Sequence, residues 1–364
     1  MAALATAAAS ASKRAPTLRN LLTLADVSVE GLQRLLTSAA EINRITPTKI
    51  RALVPPAPMD NWLNKKAIAL LFSKRSTRTR VAAEVAIRRM GGSPVFLAPD
   101  DIQLGVNESL ADTAQVLNQL VQAIFARVGP HSDIEALAAN TTIPVINALS
   151  DLWHPTQVLA DLLTIADSAA RFNANASSTE QQISLGKKHL PPLTVAWVGD
   201  STNVLHDMLV SFPRLGLKMR VATPKGYGTP EPIMARIREL GCADSIVFTH
   251  DPQEAVHGAN VVATDTWISM GQEDEKAARL EAFKGYQVTE ALCQAGGAEP
   301  NWQFLHCLPR KAEEVDDAVF YGPRSLVFRE AHNRLPTIQA VFAAIFRPEY
   351  GVAKPHYEIK QKEQ

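Results

Sequence analysis

Short unbroken apolar runs alternate along the chain with longer stretches of helical spacing. Ala67–Phe72 (AIALLF) is flanked by Lys65-Lys66 and Ser73-Lys74, the pattern of a strand covered on both faces. Comparable runs are Val121–Val128 (VQAIFARV), Ile143–Asn147, Leu193–Val198, Lys218–Ala222, Ser245–Thr249, Asn260–Thr264 and Gln303–His306, with a shorter one at Val95–Leu97. Helical spacing is expected over Thr77–Met90, over His154–Ala169 through Val158, Leu159, Leu162 and Ile165, and over Ala331–Phe346, with Pro348 limiting the last. Strand, helix, strand with short connections builds parallel βαβ units, whose sheets need helices on both faces. The runs form two series, separated by the polar segment Arg171–Pro192, which reads as a surface insertion or interdomain loop. The expected fold is α/β: two doubly wound domains, each a mostly parallel sheet flanked by helices, joined by interdomain helices.

Composition narrows the function classes. A chain of 364 residues accommodates two domains of about 150. With 37 Lys+Arg against 37 Asp+Glu, the net charge of zero argues against a general nucleic-acid or anionic-membrane binder, though not against a small basic site. Cys242, Cys293 and Cys307 form no CxxC pair and imply neither a disulfide framework nor structural zinc. Apolar runs such as Val341–Phe346 fall far short of the roughly 20 residues that span a bilayer. Residues 1–25 are rich in Ala, Ser and Thr, contain Lys13, Arg14 and Arg19, and have no acidic residue before Asp26. That is the composition of a mitochondrial transit peptide, expected over about residues 1–18, with a plain tail on a cytoplasmic protein as the alternative.

Candidate chemistry sits where strands end. Ser73-Lys74-Arg75-Ser76-Thr77-Arg78-Thr79-Arg80 follows a buried strand and opens a helix, where free N–H groups and the positive dipole end favour an anion. Arginine forks and hydroxyls at that place suit phosphate oxygens, although the segment is not a GxxxxGK[ST] loop. Arg127 closes an apolar run, at the end of a strand where open α/β sheets hold ligands. His154 and Gln157 share a face at a helix start and could grip a carbonyl and an amide, or simply stabilise the turn. Gly199-Asp200-Ser201-Thr202-Asn203 lacks the glycines of a dinucleotide loop, leaving a polar cradle for a small ligand. Asp265, followed by Ser269-Met270-Gly271, and Cys307, in His306-Cys307-Leu308-Pro309-Arg310, occupy two further strand ends. No second ligand at a recognised spacing supports zinc there.

Taken in order, Ser76-Thr77-Arg78-Thr79-Arg80, Ala126-Arg127-Val128, His154-Pro155-Thr156-Gln157, Asp265 with Ser269-Met270-Gly271, and His306-Cys307-Leu308-Pro309-Arg310 resemble one family from about Leu21 to the last helix. It is the aspartate/ornithine carbamoyltransferase family, and within it the ornithine carbamoyltransferases. An aspartate-specific member is expected to read His-Pro-Leu-Pro-Arg where this chain has Cys307. The resemblance implies a carbamoyl-phosphate-binding domain over 19–155, completed by the C-terminal helix 331–348, and an ornithine-binding domain over 156–330 with the insertion 171–192. Ser76, Thr77, Arg78 and Thr79 would bind phosphate. Arg127, His154 and Thr79 would surround the carbonyl oxygen, while Gln157 and the Leu308 backbone hold the amino group. Arg334 would return to the same site, and Gln103 would reach in from a neighbouring subunit of a homotrimer. Asn203, Asp265, Ser269 and Met270 would hold the ornithine head group. Cys307, oriented by Asp265 as either a thiol or a thiolate, would face the δ-amine, making Cys307, Asp265 and Arg127 the catalytic set. His332, where the family more often has Glu, is expected beside the site. No metal or organic cofactor is implied. A carbamoyltransferase for putrescine or N-acetylornithine, or a non-catalytic binder of phosphate ligands, are the alternatives.

Overall fold

In a computed structural model, the structure describes residues 18–45, 61–98, 108–173, 182–268 and 273–347. Of the expected targeting segment 1–18, only Leu18 is among them, and Gln103, Ser269, Met270 and Pro348 also lie outside the described residues. Strands β1 (Ala67–Phe72), β2 (Ser93–Leu97), β3 (Ala123–Arg127) and β4 (Val145–Leu149) form an all-parallel sheet of order β2-β1-β3-β4. After a small antiparallel hairpin, β5 (Ile183–Leu185) and β6 (Lys188–Leu190), a second sheet is built from β7 (Thr194–Val198), β8 (Lys218–Ala222), β9 (Ile246–Thr249), β10 (Val261–Thr264) and β11 (Gln303–His306). It too is all parallel, in the order β11-β10-β7-β8-β9. The expected pair of helix-flanked parallel sheets is therefore present.

Where elements differ from the sequence reading, local chemistry explains it. β2 starts at Ser93 and includes Pro94, which an edge strand tolerates because its missing N–H costs no ladder bond on the open side. Val121 caps the preceding helix Leu110–Leu120 instead of starting β3. The segment 171–192 is not simply a loop. Its start continues the helix Ala169–Asn173, and Leu185 and Leu190 of the hairpin are buried, sealing it onto the body of the protein. The last helix begins at Val327, a turn earlier than expected, because Val327 and Glu330 are buried.

Two elements hold the halves together. Helix Pro155–Asp167 is buried from Pro155 to Ala166, so it is packed all round, a rigid mount between the two sheets. The helix Val327–Phe346 leaves the second sheet and packs back on the first, Phe342 meeting Phe125 with ring centroids 6.2 Å apart. The N-terminal segment adds a strap. Leu21 bonds Val145 and Asn147 of β4, then Thr23 Oγ1 and Leu24 N donate to Asp207 Oδ1 at 2.9 and 2.8 Å. Asp207 lies on the helix Asn203–Ser211 that follows β7, so the strap crosses from one sheet's territory to the other's.

Asp207 is fully buried, and burial pushes its carboxyl up to about 7. Between its ordinary value of 3.8 and about 7 the folded state keeps a proton that the unfolded chain has released, so this group makes stability fall as pH rises through that window. Asp207→Asn, which retains an acceptor for Thr23 and Leu24, should shrink that fall. Urea unfolding at about pH 4.5 and about pH 7.5 measures it, and an unchanged difference between the two would contradict the assignment.

Candidate active site

Parallel register decides which residues meet. β1 and β3 pair Phe72 with Arg127, so the chain leaving β1 closes on the end of β3. Ser73 N and Oγ both donate to Arg127 O, at 2.8 and 3.2 Å, and the Arg127 guanidinium is left buried at the C-terminal edge of the sheet. β10 and β11 pair Thr264 with His306, so the next residues, Asp265 and Cys307, emerge side by side. Cys307 Sγ donates to Asp265 Oδ1 at 2.8 Å, and the same oxygen accepts Thr266 N at 2.7 Å.

The turn after Cys307 brings the two halves into contact. Leu308 has φ 63°, uncommon for a branched residue, and is held by both its backbone groups. Its N–H donates to His306 Nδ1 at 2.9 Å, and its carbonyl accepts from Arg78 Nη2 at 2.5 Å. Because His306 Nδ1 is an acceptor, its Nε2 carries the proton and donates to the fully buried Glu314 at 3.1 Å. Arg78 opens the helix Arg78–Arg89, whose N-cap Thr77 makes no side-chain capping bond, so the positive helix end is left for an anion. Ser76 and Arg78 are half-buried, Thr77 is exposed and Thr79 is buried. Arg80 does not join them. It is exposed, pairs with Glu84 at 2.8 Å and lies over the Phe96 ring, because two residues along a helix turn a side chain to a different face.

A third group comes from the two buried helices. Arg334 donates to Gln157 Oε1 at 2.6 Å, Thr79 Oγ1 at 3.0 Å and Thr156 Oγ1 at 3.2 Å. Gln157 Nε2 donates to Asp161 Oδ1 at 2.8 Å and Glu330 Oε1 at 2.7 Å, and Glu330 Oε2 accepts His306 N at 2.9 Å. Burial, and then each other's charge, pushes Glu330 well up, while burial takes Asp161 up to about 7. Two packed carboxyls that repel in this way retain a proton between them.

The electrostatics follow from burial among like charges. Burial, then Arg78, lowers Arg127 to about 10, which leaves it a cation at neutral pH. Burial, with Arg334, Arg127 and Arg78 alongside, holds His154 well below the usual histidine range, so its ring is neutral. Arg127 Nε, Arg334 Nε and His154 Nδ1 are buried with no hydrogen-bond partner among the described residues, polar capacity gathered around one locus. Of the two forms the sequence leaves open for Cys307, the surroundings favour the thiol: desolvation of the sulfur, then the Asp265 charge, push it well up, and it stands as a neutral donor. Asn203 donates to Ser150 O at 2.6 Å, tying the second half to the loop after β4. His332 bonds Asn43 Oδ1 at 3.1 Å, having turned about 200° around its helix from Glu330. Donor atoms of Asp265, His306 and Cys307 lie within 4.8 Å of one another, the spacing of a metal cluster, yet both His306 nitrogens are already engaged.

Likeness to known proteins extends over nearly the whole chain. Residues 19–167 match the model of the "Aspartate/ornithine carbamoyltransferase, carbamoyl-P binding domain", and 192–345 that of the "Asp/Orn binding domain". The chain belongs to the aspartate/ornithine carbamoyltransferase family. It is 48% identical over 321 residues to the mitochondrial ornithine carbamoyltransferase of Coccidioides immitis, covering 87% of this chain and 89% of that protein. The mitochondrial ornithine transcarbamylase of Gallus gallus is 46% identical over 330 residues, 90% of this chain and 85% of that one. Among solved structures, the ornithine carbamoyltransferase of Pyrococcus furiosus superposes with TM-score 0.79 at 37% identity, over 93% and 100% of the two chains. A mitochondrial ornithine carbamoyltransferase from Coccidioides immitis gives 0.77 at 43%, over 90% and 96%.

Asp161, Thr156, Glu330 and Glu314, which the geometry joins to these residues, are given no role by the sequence reading. A signal existed for two of them: Asp161 follows Gln157 by four, and Glu330 precedes Arg334 by four, each pair sharing a helix face. The neutral state of Cys307 has a direct test. Asp265→Asn removes the negative charge that raises the thiol, so Cys307 should be alkylated faster at neutral pH than in the unaltered chain. Rates of iodoacetamide labelling at Cys307, followed by peptide mass spectrometry, check this; equal or slower labelling contradicts it.

Proposed function

We propose that the chain transfers the carbamoyl group of carbamoyl phosphate to the δ-amine of L-ornithine, giving L-citrulline and phosphate. The observation that carries this is the facing of two dissimilar surfaces. Arg78, Arg127, Arg334 and a neutral His154 stand at the end of one sheet, and the Cys307–Asp265 pair at the end of the other, with Arg78 bonded across to Leu308. The family relationship and the Cys307 of the His-Cys-Leu-Pro-Arg motif favour ornithine over aspartate. The phosphate is assigned to Ser76, Thr77, Arg78 and Thr79, with Gln103 joining from a neighbouring subunit. The carbonyl oxygen is assigned to Arg127, His154 and Thr79, the amino group to Gln157 and Leu308, and the ornithine head group to Asn203, Asp265, Ser269 and Met270. The corresponding units are 19–155 with 331–348 for carbamoyl phosphate and 156–330 for ornithine.

The chemistry follows from charge. An alkylammonium has a pKa of about 10.4, so forming the neutral amine near pH 7.5 costs about 4 kcal/mol. Arg78 and Arg127 disfavour the ammonium, while the Asp265 carboxylate behind Cys307 orients the amine. A neutral thiol is not a base, and Cys307 serves instead as a polar contact that shields and positions Asp265. The amine nitrogen attacks the carbonyl carbon, charge builds on its oxygen against Arg127 and His154, and each such donor is commonly worth about 3 kcal/mol. The carbon–oxygen bond to phosphate then breaks, its electron pair leaving with phosphate, and the new amide nitrogen gives up its proton to the departing phosphate.

Three copies are proposed to assemble, as Gln103 requires. Exposed apolar side chains on the first unit support this: Val116 and Leu120 lie one turn apart on a helix, exposed to 50% and 66%. Sedimentation equilibrium should return three times the chain mass, and a monomer would refute it. The N-terminal composition, and relatives named as mitochondrial, support an address in the mitochondrial matrix with residues 1–18 as the targeting segment. Function is tested by citrulline or carbamoyl-product formation with ornithine, N-acetylornithine, putrescine and aspartate side by side. Ornithine should be the preferred acceptor, and Arg127→Ala should lower kcat by about 100- to 1,000-fold without unfolding the chain. Turnover with another amine alone, or near-normal Arg127→Ala turnover, would overturn the reading.

A further inference from the structure

The carboxyl pair behind the site does more than neutralise Arg334. A glutamine amide has two N–H donors and two acceptor lone pairs on its oxygen. At Gln157 both donors are taken, one by Asp161 Oδ1 at 2.8 Å and one by Glu330 Oε1 at 2.7 Å. One lone pair of Oε1 is taken by Arg334 at 2.6 Å. The remaining capacity of the side chain is a single acceptor. Turning the amide round would set its oxygen against two carboxyls that share one proton and its NH₂ against a guanidinium, so the orientation is fixed from both ends.

We propose that Asp161 and Glu330 are specificity-determining positioning residues: by occupying both amide hydrogens of Gln157 they leave it able only to accept, so that the site selects an acyl phosphate bearing an N–H over one bearing a methyl group. The proposal rests on the carbamoyl-phosphate reading above and extends it to what separates that ligand from an acetyl phosphate of nearly the same shape and charge. A buried acceptor facing a methyl group is left unpaired, and that penalty discriminates more sharply than any added contact. Neither carboxyl needs to touch the ligand. Their effect passes through Gln157, and Glu330 is itself tied to the His306 backbone one residue before Cys307.

Two stable ligands isolate the effect: phosphonoacetamide, and acetonylphosphonate, which carries CH₃ in place of NH₂. Titration calorimetry on the full chain should show the amide binding at least about tenfold more tightly, a difference of about 1.4 kcal/mol. In Asp161→Leu one of the two amide hydrogens of Gln157 is freed, and the preference should fall below about threefold while acetonylphosphonate affinity changes little. Asp161→Asn can present its oxygen to Gln157 and its N–H to Glu330, and should keep the preference, a rescue that a purely structural role would not predict. Glu330→Gln has one acceptor oxygen for two donors, Gln157 Nε2 and His306 N, and should lose part of it; this variant serves if Asp161→Leu fails to fold. An unaltered preference in the folded Leu and Gln variants, its loss in a folded Asp161→Asn, or its absence from the unaltered chain overturns the inference. An unaltered chain that binds neither ligand refutes the carbamoyl-phosphate reading itself.

Discussion

Positive charge packed away from water is the constraint on which the rest of the site depends. Burial, with Arg78 alongside, makes Arg127 harder to keep charged, and burial, with Arg78 and Arg127 nearby, does the same to Arg334. Such a cluster is costly unless fixed partners, or a bound anion, offset its charge. Arg334 is gripped by Gln157, Thr79 and Thr156, and Arg78 by the Leu308 carbonyl. Asp161 and Glu330 supply compensating negative charge, but the retained proton limits it, so that the site's field stays attractive to an anion. His154 stays neutral for the same reason, since a fourth cation at that depth would cost more than it returned. A chain whose total charge is zero thus contains a strongly polarised interior.

Two parallel sheets make this arrangement economical in sequence. A parallel sheet presents all its strand C-termini at one edge, and adjacent strands in register deliver neighbouring residues without any long loop. Phe72 beside Arg127, and Thr264 beside His306, set the two walls of the site. Close packing at these ends restricts what can stand there. Gly199 follows β7 with φ 146°, and a Cβ would come within 3.0 Å of Thr264 Oγ1 and 3.3 Å of the Trp267 indole nitrogen. The buried helix Pro155–Asp167 then carries His154 at its N-cap and Gln157 one turn in, on a support that cannot roll.

Legibility in the sequence tracked locality. Buried strands were visible because they are continuous apolar runs, and Arg127 and Cys307 stood out because a polar or reactive residue ended such a run. Arg78 and Arg80 looked equivalent in a linear motif, and only the helical rotation between them separates a residue reaching Leu308 from one lying over Phe96. Asp161 and Glu330 were passed over because what makes them matter is a pairing across 169 positions of chain, through a glutamine. The protonation of Cys307 is hidden for a related reason. Burial of the sulfur and the carboxylate of Asp265, 42 positions away, keep the thiol neutral, and neither is written in the motif. The hairpin 183–190 hid in a polar segment because its strands are three residues each, too short for alternation to register.

The bond from Arg78 to Leu308 joins these levels. It runs between residues 230 apart, from the helix start where a phosphate would be held to the turn that presents Cys307. Leu308 is itself in a left-handed conformation that its neighbours must impose, and its N–H is fixed by a histidine locked to Glu314. An anion drawn to Arg78 therefore acts on a guanidinium whose other face already sets the geometry of the opposite wall. The walls are built by separate sheets, but they are not independent: the strap at Asp207, the buried helix between them and this one charged contact make the phosphate end and the thiol end parts of a single rigid cleft.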